Sequence, residues 1–169
     1  MTVKDLERLF DYSYWANARL FGVIVGLSAD EFTQPVAGSY GSVRNTLVHM
    51  LSAEAGWLDR SGGSKRGPKL VADDFPTAES LVQAWTTVES KMRTFLAGLR
   101  DEDLDRDIEF ELESFGRRSM KLGDLLYHAA NHGVHHRGQI ALLLGLLGRT
   151  PGNVDLLIYF AELRRDAAA

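Results

Sequence analysis

Asn131-His132-Gly133-Val134-His135-His136-Arg137-Gly138-Gln139 sits in the middle of a run, Lys121 to Leu147, whose apolar residues recur at helical spacing. Gly148 supplies a stop signal and Pro151 follows just beyond it. On a helical wheel at ~100° per residue with His132 as zero, Leu122, Leu125, Ala129, Ile140, Leu143, Leu144 and Leu147 fall between about 20° and 120°. His136 lands inside that arc at about 40° and His132 lies at its edge, so both face the interior. His128 and His135, near −40° and −60° by the same ~100° step, face the flank or solvent. A single histidine at a core edge is ordinarily a hydrogen-bonded structural residue. Two inward imidazoles one turn apart would cost desolvation and repel each other when protonated, whereas one metal ion accommodates both. The spacing is the one a helix uses to grip a single ion. A third ligand from a second helix would complete a three-histidine site with one position left open. His49, in an earlier helical segment, lies well off the centre of that helix's apolar arc, so periodicity alone leaves it undecided.

Outward from this run the chain reads as more helices. Leu6, Phe10, Ser13, Asn17, Leu20 and Ile24 step by fours and threes through Val3 to Val25. Ser13 and Asn17 are polar members of that stripe, so Asn17 is either a hydrogen-bonded core amide or part of a site lining. A loop over Ser28 to Gly41 contains Pro35 and Gly38. Ser42 then caps a helix running to about Arg60, whose apolar arc of Val43, Leu47, Met50, Trp57 and Leu58 includes the acidic intruder Glu54. Ser61-Gly62-Gly63-Ser64-Lys65-Arg66-Gly67-Pro68 ends it and begins a long crossover. Thr77 caps a third long helix carrying Leu81, Trp85, Val88, Met92, Phe95, Leu96 and Leu99.

Between Asp105 and Met120 the period drops to two: Ile108, Phe110 and Leu112 alternate with Glu109, Glu111 and Glu113. Ser114-Phe115-Gly116 reads as a turn, giving a short hairpin or extended connection before the histidine-bearing helix. A last helix, about Val154 to Arg165 with Asn153 as cap, packs Leu156, Leu157, Tyr159 and Phe160. Four long helices, one crossover, a minor extended element and a C-terminal helix predict an all-α single domain over residues 1–169 built as a helical bundle.

At 169 residues and 45% hydrophobic, the chain buries a real core without disulfides. Cysteine is absent, so any metal is held by nitrogen and oxygen ligands. The absence of cysteine, of a signal-like N-terminal pattern and of a long apolar run predicts a cytoplasmic protein with no membrane partner. The net charge of −4, with basic pairs only at Arg117-Arg118 and Arg164-Arg165, argues against a nucleic-acid partner.

These residues resemble the DinB-like superfamily of metal-dependent enzymes, which also takes in the YfiT-type thiol transferases. The resemblance runs through Tyr14-Trp15-Ala16-Asn17, through Tyr40-Gly41-Ser42-Val43-Arg44-Asn45-Thr46-Leu47-Val48-His49, and through Glu54 and Trp57. It is strongest at Asn131 to Ile140, and Asp155-Leu156 with Tyr159 also fits. It implies an up-down-down-up four-helix bundle binding one divalent ion through His49, His132 and His136, while His135 matches no ligand position. It also implies a homodimer.

Three neutral imidazoles leave the ion its full charge and lower the pKa of a bound water or thiol. With the thiol-using relatives as guide, the leading expectation is a transferase that activates a small-molecule thiol for attack on an electrophilic substrate, with Glu54 or Asn17 orienting substrate or ligands. A hydrolase working through metal hydroxide is the enzymatic alternative, and a non-catalytic metal-binding stress-response protein the other. The expected ion is zinc or nickel, with iron(II) also compatible with imidazole.

Overall fold

The computed structural model describes residues 1–112 and 116–166. Its elements are α1 (Val3–Ile24), α2 (Ala29–Thr33), α3 (Val43–Ser61), α4 (Ala78–Ala97), β1 (Asp107–Leu112), β2 (Gly116–Lys121), α5 (Leu122–Leu146) and α6 (Leu156–Asp166). The protein is thus mostly helical with one small antiparallel sheet, β1 against β2, in register from Asp107 opposite Lys121 to Leu112 opposite Gly116. The connection predicted to be extended or hairpin is a hairpin. Apart from Gly116, the turn read at Ser114 and Phe115 lies outside the described residues. Among the described residues, no helix is long and apolar enough to cross a membrane.

Capping explains where the helices begin. The Thr2 hydroxyl accepts from the Asp5 N–H while the Asp5 carboxylate accepts from the Thr2 N–H. Ser42 and Thr77 cap α3 and α4 as their sequences predict, accepting from Asn45 and Ser80. Helix α2 falls inside the segment read as loop. Its signal was Ser28-Ala29-Asp30-Glu31, in which Ser28 and Glu31 cap each other reciprocally. The start of α6 is also corrected. Asn153 accepts the Asp155 N–H in a turn, and Asp155 is the residue whose carboxylate and carbonyl receive the first helical N–H groups. With α6 beginning later, Leu157 is 72% exposed, not packed as predicted.

Two apolar clusters fill the interior. One joins Leu6 and Phe10 of α1, Trp57 of α3, Met92 and Leu96 of α4, Ile108 and Phe110 of β1, and Leu122, Leu125 and Leu126 of α5. The other joins Leu20 and Ile24 of α1, Val43, Leu47 and Leu51 of α3, Leu81 and Trp85 of α4, and Ile140, Leu143 and Leu144 of α5. Along α1 and α5 the polar residues Ser13, Asn17, His132, His136 and Arg137 fall between the stretches that feed the two clusters. A polar layer therefore crosses the middle of the core. Helix α6 closes over α1, where Trp15 Nε1–H and Arg19 both donate to Glu162, at 3.0 and 2.6 Å.

Leu126→Ala, at a fully buried position, is expected to lower unfolding free energy by about 2–5 kcal/mol in urea titrations. Leu157→Ala is expected to stay within about 0.5 kcal/mol of wild type.

Candidate metal centre

Helix α5 carries His132 and His136 one turn apart, and α3 lies against it with His49 facing them. The His132 Nε2 atom stands 3.1 Å from His49 Nε2 and 3.1 Å from His136 Nε2. Ligand atoms of all three lie within 4.8 Å of one another. His136 is buried, and His49 and His132 are half-buried. His128 and His135 are exposed, as the wheel predicts; the His128 ring stands edge-on to Trp57 with centroids 5.2 Å apart.

The protons in this cluster can be counted. His136 Nδ1 lies 2.6 Å from Gln139 Oε1, which can only accept, so the ring donates Nδ1–H there and its Nε2 is a bare lone pair. On the far side the Tyr40 hydroxyl lies 2.9 Å from His49 Nε2 and donates to it or accepts from it according to that ring's tautomer. Each Nε2 carries one proton or one lone pair, so His132 can satisfy only one of its two 3.1 Å contacts whichever tautomers it and His49 take. A cation between the three nitrogens removes that conflict. At about 2.0–2.1 Å per bond, nitrogens around a tetrahedral zinc stand roughly 3.4 Å apart. The two 3.1 Å separations from His132 come within a few tenths of an ångström of that spacing, and all three ligand atoms lie within 4.8 Å of one another.

Burial keeps the rings neutral. Desolvation, then the proximity of the other imidazole, pushes His49 down to about 4. His132 falls to about 3 for the same reasons, and desolvation also lowers His136. Neutral imidazole is the form a metal takes.

The surrounding shell contains two residues that sequence reasoning gave no role. Gln139, one turn after His136, fixes that ring's tautomer, receives the Ser39 hydroxyl at 2.8 Å and donates to His135 at 3.1 Å. Its signal was the His-x-x-Gln spacing. Tyr40 stacks on His49 with ring centroids 3.9 Å apart. It is carried by a tight loop in which Gly38, Ser39 and Gly41 all have positive φ, at 97°, 50° and 84°. No helical periodicity reports such a loop residue.

Glu54 and Asn17 lie elsewhere in the polar layer, away from the imidazoles. The Glu54 residue is half-buried and its carboxyl accepts the Tyr14 hydroxyl at 2.8 Å. Burial raises its pKa to about 7 against the lowering influence of that hydrogen bond and of Arg137. Asn17 Oδ1 accepts from Arg137 Nη1 at 3.2 Å, and Ser13 Oγ from Nη2 at 3.3 Å. Arg137 is 2% exposed and folds back along its own helix. A Cβ on Gly133 would stand 2.9 Å from Arg137 Nη1, which explains a glycine in mid-helix. The polar members of the α1 stripe thus tie α1 to the histidine helix.

Fold and site together define a class: helical domains that bring together a three-histidine group compatible with metal binding. The DinB family model matches residues 1–165, and the chain belongs to the DinB family. It is 24% identical to "Protein DinB" of Bacillus subtilis (strain 168) over 171 residues, covering 95% of this chain and 96% of that protein. The crystal structure of a DinB-like protein from Bacillus cereus ATCC 10987 superposes with a TM-score of 0.76 at 22% identity, covering 91% of this chain and 98% of that one. The expected resemblance is thereby established, and the fold is DinB-like.

Three single variants, His49→Ala, His132→Ala and His136→Ala, are expected to abolish uptake of one equivalent of Zn2+ by the metal-free protein, whereas His135→Ala retains it. Gln139→Ala is expected to weaken uptake by about 10–100-fold. Stability of the metal-free protein should also depend on pH. The histidine pKa values are depressed below the ordinary 6.5, so below that pH the unfolded chain gains protons the folded one does not. Its Tm is therefore expected to fall as pH drops from about 6.5 toward 4. Glu54, raised from 4.5 to about 7, works in the opposite sense, so Glu54→Gln should steepen that fall.

Proposed function

We propose that this protein is a metal-dependent transferase in which His49, His132 and His136 hold one divalent ion, zinc or nickel with iron(II) as the further option, and a small-molecule thiol attacks an electrophilic substrate. The observation that carries this reading is the convergence of three neutral Nε2 atoms whose mutual contacts cannot all be hydrogen bonds. When bound, the ion supplies the Lewis acidity that lowers a thiol's pKa toward neutrality. With no cysteine in the chain, the sulfur arrives with the cosubstrate.

The chain's own residues hold and orient. Gln139 keeps His136 in the tautomer that presents Nε2. The Tyr40 hydroxyl, on a ring 46% exposed, stands beside His49 and donates a hydrogen bond to the incoming sulfur or to the electrophile. Asn17 and Glu54 act as positioning residues: Asn17 holds the Arg137 guanidinium, and the Glu54 charge attracts it, fixing the rotation of α5 that presents both histidines.

Along α1 and α5 the first apolar cluster takes earlier residues than the second, and along α3 and α4 it takes later ones. That order supports an up-down-down-up bundle of four long helices. Pairing of two copies through the outward face of α5, where Tyr127, Val134, Leu142 and Leu146 are exposed, belongs to this proposal.

The test is thiol consumption. Zinc- or nickel-loaded protein is expected to accelerate conjugation of a low-molecular-weight thiol to monochlorobimane, and Tyr40→Phe to lower kcat with one metal still bound. Rates no higher than those of the metal-free protein, across several thiols, would refute the transferase reading.

A further inference from the structure

We propose that Arg60, Arg66 and Arg106 form an anion-binding subsite next to the three-histidine centre, taking a carboxylate or phosphate of the small-molecule substrate. The proposal rests on the transferase reading for its purpose, though not for its geometry. A cavity of about 620 Å³ opens between the end of α3, the start of the crossover and β1, and these three arginines and Lys65 line it together with Asp107, Glu109 and Glu111.

Two of the arginines are brought together against their mutual repulsion. Arg66 Nε and Arg60 Nη1 lie 2.7 and 3.3 Å from the point a Cβ on Gly56 would occupy, so the glycine makes room for both. Each guanidinium is held by neutral oxygen: Arg60 donates to the Gly56 carbonyl at 3.1 Å, Arg66 to the Ser52 hydroxyl at 3.2 Å, and Arg106 to the Ser61 carbonyl at 2.9 Å. Among the described residues, none of the three has a carboxylate within ion-pair distance.

Two of the lining carboxylates are engaged elsewhere. Asp107 pairs with Lys121 at 2.9 Å and Glu109 with Arg117 at 2.6 Å across the hairpin, and Glu111 stands opposite Arg117 in the register. Asp59 accepts the Gly67 N–H at 2.9 Å. The four lining cations outnumber the three lining carboxylates, and such an excess of positive charge in a concave site is what a carboxylate or phosphate neutralises; planar guanidinium donors suit either group.

The placement ties this cavity to the metal centre. Ser52 and Gly56 follow His49 by three and seven residues, on the same face of α3. Arg66, docked on both, therefore stands about one to two helical turns from the His49 ring. A substrate anchored here by an acid group would reach the histidines with its other end.

The experiment is calorimetric titration of zinc-loaded protein with inorganic phosphate and with succinate, at constant ionic strength and without thiol or electrophile. Saturable binding of either anion is expected, weakened at least 10-fold in Arg66→Gln and in Arg60→Gln, with metal content unchanged. Gly56→Ala, which displaces the Arg66 side chain while keeping every charge, is expected to weaken it as well. No saturable binding in the wild type, equal binding in the variants, or binding only of polyanions such as RNA would overturn the proposal. Because no thiol is present, a protein that transfers nothing can still bind the anion, and a transferase for uncharged substrates fails this test alone.

Discussion

Everything at the site depends on how closely α3 approaches α5, where His49 and His132 meet with their Nε2 atoms 3.1 Å apart. That approach is set by the core. Leu47 and Leu51 of α3 and Ile140, Leu143 and Leu144 of α5 belong to one apolar cluster, and Trp57 meets Leu122, Leu125 and Leu126 in the other. Burying those side chains holds the helices in register, and the register brings together imidazoles that would otherwise repel or lose solvent without return. The polar layer is destabilising in isolation. It persists because apolar packing on both sides outweighs it, and because Arg137, Asn17 and Ser13 satisfy much of each other's hydrogen bonding.

The helices were legible because their cause is local. Ser42, Thr77 and Gly148 mark ends, and the stripes of α1 and α5 follow from one 3.6-residue period. His132 and His136 were legible for the same reason: the wheel that sorts Leu125 from Tyr127 also sorts His136 from His135. His49 was not, because its relation to α5 is a tertiary fact that no period within α3 contains; family resemblance supplied it. Tyr40 sits in a loop shaped by left-handed residues, and Gln139 acts through a hydrogen bond that its own helix conceals. The cavity arginines were hidden most completely. The crossover reads as a linker until it is folded back onto Ser52 and Gly56.

The distribution of charge distinguishes two kinds of arginine. Arg137 lies in the core, where neutral oxygens of α1 hold it and the Glu54 carboxyl attracts it, and its work is to fix helix rotation. Arg60 and Arg66 line a cavity whose carboxylates Asp107 and Glu109 are paired with other residues, and in the proposal above their charge serves an anion from outside. The proposed site would then have a metal-holding end at the imidazoles and an anion-holding end about two turns further along α3.

The central claim is that the three imidazoles hold one divalent ion. Elemental analysis of the protein purified without an immobilised-metal column addresses it directly. Close to one equivalent of zinc, nickel or iron per chain is expected, or uptake of one equivalent on exposure to any of them. Protein that emerges metal-free and then takes up none of the three would contradict it.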